Sequence, residues 1–111
     1  MAMEVVFFET SSGRSPVTKF IDEQPGRDQA VLLAVLNDIE QNGFQAKGAT
    51  FRQLDGKLWE MKIRAPSGGY RLLYALIDRQ RMMILHAFKK KTQQTPKKEL
   101  ALARKRLAEV L

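Results

Sequence analysis

Leu58-Trp59-Glu60-Met61-Lys62-Ile63-Arg64 alternates without a break, with Trp59, Met61 and Ile63 on one side and Glu60, Lys62 and Arg64 on the other. A period of two is the mark of a strand with one face in a core. Upstream, Phe51-Arg52-Gln53-Leu54 enters it through Asp55-Gly56, a tight-turn dipeptide, so the two segments read as a hairpin. Downstream, the turn over residues 65–69 leads to residues 70–77 and 82–88, nearly continuous apolar runs expected of central strands covered on both faces. Residues 78–81, Asp-Arg-Gln-Arg, join them as a hairpin loop. The second half of the chain is an antiparallel meander.

The first half has another rhythm. Residues 4–9, Glu-Val-Val-Phe-Phe-Glu, form a short strand of β-formers. Ser15-Pro16 starts a helix, the serine as N-cap and the proline at the first helical position, and Pro25-Gly26 interrupts it. A second helix runs to about Asn42, with Gly43 expected as a left-handed C-cap. Leu32, Val35, Leu36 and Ile39 make its packed side, and Asp28, Asp38 and Glu40 fall among its polar positions. A last helix spans residues 96–111, with Leu100, Ala103, Leu107 and Val110 in one arc and Lys97, Lys98, Arg104 and Lys105 in another. The expectation is one α/β (α+β) domain over residues 1–111: strand, two helices, antiparallel strand meander, C-terminal helix. One sheet with helices packed against a face is the economical arrangement.

Composition narrows the chemistry. The 111 residues contain no cysteine and one histidine, His86, which excludes disulfides, thiolate metal sites and multi-histidine metal sites. No apolar run approaches the ~20 residues of a membrane span, and no basic-then-apolar export signal opens the chain, so the cytoplasm is the expected location. Met3 is as good a start as Met1, and Met1-Ala2 reads as an extension. The net charge of +7 is lopsided: residues 1–43 hold 3 Lys/Arg against 7 Asp/Glu, residues 44–85 hold 8 against 3, and residues 86–111 hold 8 against 2. One cationic face follows, suited to a nucleic-acid backbone.

The cations also converge. In the meander, Lys62 and Arg64, then Tyr70 and Arg71, then the run His86-Ala87-Phe88-Lys89-Lys90-Lys91 all reach the same edge of the sheet. Such an edge can hold a phosphodiester and stabilise the extra charge of a pentacoordinate transition state. RNA brings its own nucleophile, the 2′-hydroxyl, so cleavage needs charge stabilisation, a proton acceptor and a donor for the 5′-oxygen. No metal or other cofactor is required. A lysine or a tyrosine with a lowered pKa is the candidate base, and Tyr70, beside the turn, is expected to stay open. Lys62, Tyr70, Lys89, Lys97, Lys98, Arg104 and Lys105 are candidates for RNA contact, the helical ones through general phosphate affinity. Trp59 and Tyr74 read as core, and His86, between Leu85 and Ala87, as structural.

Three ordered segments carry a resemblance: residues 58–64, then Tyr70-Arg71-Leu72-Leu73-Tyr74, then His86-Ala87-Phe88-Lys89-Lys90-Lys91-Thr92-Gln93-Gln94-Thr95-Pro96. They resemble the phage-derived HigB-like branch of the RelE/ParE toxin superfamily, in which Leu-Trp-Glu-Leu-Arg, Tyr-Arg-(aliphatic)-(aliphatic)-Tyr and His-(small)-Phe-x-Lys-Lys-Thr-x-x-Thr-Pro follow in this order. The likeness covers essentially the whole chain. It implies a type II toxin that cleaves mRNA in the ribosome and is neutralised by a helix-turn-helix, HigA-like antitoxin. It also implies catalytic roles for Arg64 and Arg71 at the phosphate and for Lys90 and Lys91 near the leaving group. Lys62 stands where that family has an apolar residue. The ParE branch acts on gyrase without cutting RNA, so a non-catalytic toxin or an inactive RNA-binding protein remains the alternative.

Overall fold

A computed structural model describes residues 3–111; Met1-Ala2, and with them the expectation of an extension ahead of Met3, lie outside the described residues. The chain runs β1 (Glu4–Phe7), α1 (Pro16–Asp22), α2 (Gly26–Asn42), β2 (Ala49–Asp55), β3 (Leu58–Ala65), β4 (Gly68–Leu76), β5 (Arg81–Lys89) and α3 (Lys97–Val110). The strands form one sheet in the order β1-β5-β4-β3-β2. The meander is antiparallel as expected, and β1 joins its far edge parallel to β5, giving a mixed sheet.

Local chemistry explains the boundaries. The Ser15 hydroxyl accepts the Thr18 N–H at 3.4 Å, with Pro16 opening α1. Gly56, at φ +57°, turns the β2–β3 hairpin. Gly43 departs from expectation: φ is +60° but ψ is −137°, which is not the left-handed helical cap. The chain instead tightens into a 3₁₀ turn over Gly43–Gln45 before β2.

The helices divide between both faces of the sheet rather than covering one. Val17 and Ile21 of α1 and Leu32, Val35, Leu36 and Ile39 of α2 pack on Met61, Ile63, Leu72, Tyr74, Met82 and Ile84. Trp59 joins this side, its ring stacked with Tyr74 at 6.5 Å. On the opposite face, Leu100, Ala103, Leu107 and Val110 of α3 meet Phe8, Leu58, Leu73, Ala75, Leu85 and Phe88. The second face is forced by β4 and β5, whose consecutive apolar residues cannot all point one way. A register shift helps: His86 pairs with Leu73 and Ile84 with Tyr74, so Leu85 is an extra residue that turns toward α3. No helix among the described residues is long and apolar enough to cross a membrane.

Candidate nucleic-acid interface

At the end of the sheet where β3 turns into β4 and β5 runs out, a cleft of about 1000 Å³ opens. Lys62 and Arg64 line it from β3, Ser67 from the β3–β4 turn, Gly69 from the start of β4, and Lys90, Lys91, Thr92 and Gln93 from the loop after β5. Ladder register produces the convergence. Arg64 lies opposite Gly69, and Gly69 accepts the Lys90 N–H at 2.8 Å, so three segments meet in one row. A Cβ on Gly69 would stand 3.6 Å from the Lys90 stem, which shows how closely that side chain crosses the strand. Arg64 and Lys91 are exposed, Lys62 and Lys90 partly so. None of the four forms an ion pair among the described residues. The cleft lining includes no carboxylate and no histidine, so every charged side chain that lines it is a cation.

Other candidates lie elsewhere. Arg71 has no solvent exposure. Its Nη1 donates to Thr95 Oγ1 at 2.9 Å, its Nη2 to the carbonyls of Thr92 (3.0 Å) and Gln93, and its Nε sits 3.3 Å from the Glu60 carboxylate. A guanidinium with no solvent exposure presents no donor to a phosphate in the cleft, which corrects the expectation of direct contact. Tyr70 is likewise buried, not open, with its hydroxyl donating to Asp28 at 2.5 Å and lying 3.1 Å from Gln24 Oε1. Burial first, and the bond to Asp28 second, push its pKa up; burial does the same to Tyr74. A tyrosine with a lowered pKa is therefore excluded as base. Lys89 points to the α1/α2 face, where its Nζ donates to Ser67 Oγ at 2.8 Å and lies 5.7 Å from the Tyr70 ring centroid. Lys97, Lys98 and Lys105 are exposed on α3 without lining the cleft. Arg104 is paired with Asp55 at 2.6 Å, at the opposite end of β3 from the cleft. His86 is held under α3 by Glu99 (2.8 Å) and stacked on Phe88, away from the cleft.

Asp28, Glu60 and Thr95 escaped the sequence reading. Asp28, which falls among the polar positions of α2 in the sequence, is completely buried and accepts the Ser67 N–H (3.1 Å), the Ser67 hydroxyl and the Tyr70 hydroxyl. A signal existed: Asp28, Leu32, Val35 and Ile39 fall on one helical face, so a carboxylate there had to find donors. Those donors pin the β3–β4 turn, one wall of the cleft, to the start of α2. The Ser67 hydroxyl, then the Tyr70 hydroxyl, lowers the Asp28 pKa below the usual carboxylate value. A depressed folded-state pKa gives stability that is present above the unfolded value of ~3.9 and lost as pH falls through the folded one. The melting temperature should drop below about pH 4, and Asp28→Asn should lower it at neutral pH while flattening that acid slope. Asp38 and Asp78, also depressed by hydrogen bonds, leave a residual slope. An unchanged acid limb in Asp28→Asn would remove Asp28 from this role.

A search among curated proteins finds no match. Residues 19–108 do match one family, described as phage derived protein Gp49-like (DUF891). Running from within α1 to near the end of α3, that match makes the chain a member of the phage-derived Gp49-like family, which is related to the HigB- and RelE-like toxins.

Proposed function

We propose that this protein is the toxin of a type II toxin–antitoxin pair and that it cuts mRNA in the ribosome by 2′-hydroxyl attack, without a metal. The observation that carries the reading is the convergence of Lys62, Arg64, Lys90 and Lys91, from separate segments, on one cleft free of carboxylates. Neutralisation by a helix-turn-helix, HigA-like antitoxin belongs to the same reading, with family membership as its support.

The chemistry follows from the residues in the cleft. Arg64 would hold two nonbridging phosphate oxygens through its planar fork, which a lysine cannot match. Lys90, with Lys91 beside it, would stand near the leaving 5′-oxygen and supply a proton or charge as that bond breaks. The 2′-oxygen forms its bond to phosphorus as the 5′-oxygen departs, leaving a 2′,3′-cyclic phosphate and a 5′-hydroxyl. With no histidine or carboxylate lining the cleft, the proton from the 2′-hydroxyl passes to a lysine or to water.

The test is purified protein incubated with ribosomes programmed with a defined message. The expected products are fragments with 5′-hydroxyl ends, and a single 2′-deoxy substitution at the cut nucleotide should block cleavage there. Binding to ribosomes should weaken steeply with salt as phosphate counterions are released and recaptured. Translation arrest with the message intact would favour a non-catalytic toxin. The absence of both arrest and cleavage would overturn the toxin reading.

A further inference from the structure

We infer that Arg71 is a positioning residue that works through the lysine loop: it fixes residues 90–95 as the second wall of the cleft. Its use to an RNA phosphodiester rests on the function proposed above; the mechanical claim does not.

Residues 90–96 belong to no helix or strand, and Lys91, Thr92, Gln93 and Gln94 are exposed. Such a segment, tipped with cations that repel one another, has little of its own to hold it still. The ties come from beneath. Arg71 sits on β4 inside the sheet and presents Nη2 to two successive loop carbonyls, Thr92 and Gln93, and Nη1 to the Thr95 hydroxyl. The Thr95 hydroxyl in turn donates to Glu60 Oε1 at 2.8 Å, and Glu60 faces the Arg71 Nε at 3.3 Å. Arg52 from β2 completes the seat, donating to Glu60 Oε2 at 2.9 Å. Three strands and the loop thus close on one buried guanidinium. Fixing two consecutive carbonyls sets the direction in which the chain leaves Lys90 and Lys91, and so where their amines lie relative to Arg64. A lysine at position 71 would bring a point charge without the fork that spans these acceptors.

A purely stabilising ion pair and a positioning device respond differently to a neutral replacement. Glu60→Met with Arg71→Met removes both charges together and keeps apolar bulk in the core, a replacement that buried ion pairs often tolerate. The carbonyl anchor is lost all the same. Thr95→Val is the second variant; it keeps the ion pair and deletes only the hydroxyl that links it to the loop.

Backbone ¹⁵N order parameters of the full chain read the loop directly. Residues 91–94 should fall from about 0.85 to below about 0.6 in the double variant, with β4 unchanged, and part of the way in Thr95→Val. Single-turnover cleavage at saturating ribosomes should fall about tenfold to a hundredfold, with the ribosome affinity little altered because every cleft cation remains. A loop as rigid as wild type in both variants overturns the inference, as does a wild-type cleavage rate in a double variant whose loop is mobile. Should the double variant fail to fold, Arg71→Lys takes its place, keeping the charge beside Glu60 but losing the fork that spans the two carbonyls, and a loop as rigid as wild type there overturns the inference. If wild type cuts no RNA while the loop loosens as stated, the positioning stands and only the proposed reaction falls.

Discussion

Arg64→Ala should lower single-turnover cleavage of ribosome-bound message by about 10²–10³-fold, the usual cost of losing one charged contact to a transition state in a preorganised site. The residue is suited to that loss. It is exposed, forms no ion pair among the described residues, and stands in the row that includes Gly69 and Lys90. Its backbone is held in the β3–β4 ladder, so the guanidinium is presented from a rigid strand and not from a loop. Arg64→Lys should recover only part of the rate, since charge returns without the bidentate geometry. Stability should move by no more than about 0.5 kcal/mol, as for exposed side chains without buried partners. Lys90→Ala should behave similarly with a smaller loss. The assay is rapid-quench cleavage on programmed ribosomes, with thermal melts of the same proteins. A wild-type rate in Arg64→Ala would mean that the phosphate sits elsewhere.

Where the chain reports local chemistry, the sequence was legible. Ser15-Pro16 reads as a helix start because a hydroxyl cap and a fixed φ are properties of those two residues alone. Asp55-Gly56 and the alternation in β3 likewise need no partner to be recognised. The meander then follows, and with it the meeting of Arg64, Lys90 and Lys91 at one end of the sheet, because antiparallel register is simple geometry. Charge burial was not legible, for a physical reason. Whether Arg71 faces water or the interior depends on a loop twenty residues later folding its carbonyls back over it. Nothing in Tyr70-Arg71-Leu72 announces that. Glu60 carried a partial signal: register sets it diagonal to Arg71 on the same face of the sheet, within reach of an opposite charge. Tyr70 and Asp28 are a similar pair: Asp28 shares the helical face of Leu32, Val35 and Ile39, but nothing local to either residue names the other as its partner. The division of helices between faces was implicit in Leu73, Ala75, Leu85 and Phe88, an apolar surface that water would not tolerate.

Arg71→Ala should be a folding defect before it is a catalytic one, and this reverses what the sequence alone leads one to expect of that residue. Glu60 and Arg71 have side chains with no exposure, so removing the cation strands a carboxylate in the interior. Breaking a buried pair in this way typically costs ~3–5 kcal/mol, a large share of the ~5–15 kcal/mol that holds a domain together. Arg52 limits the damage by keeping one charge on Glu60, though from a side chain that is 54% exposed and thus well screened. The buried guanidinium is the stronger partner, so the net effect should remain near the lower figure. For a domain of this size the melting temperature should fall by on the order of 15 °C. Glu60→Ala should be comparably damaging, since it leaves the guanidinium without its counter-charge. Joining the two losses should be less severe than their sum: the double-mutant cycle should show coupling of roughly 1–3 kcal/mol, as expected of groups in direct contact. The measurement is urea unfolding of wild type, both single variants and the double variant at neutral pH. An Arg71→Ala protein that unfolds at the wild-type midpoint would show that the guanidinium is not enclosed, and direct contact with RNA would again be open to it.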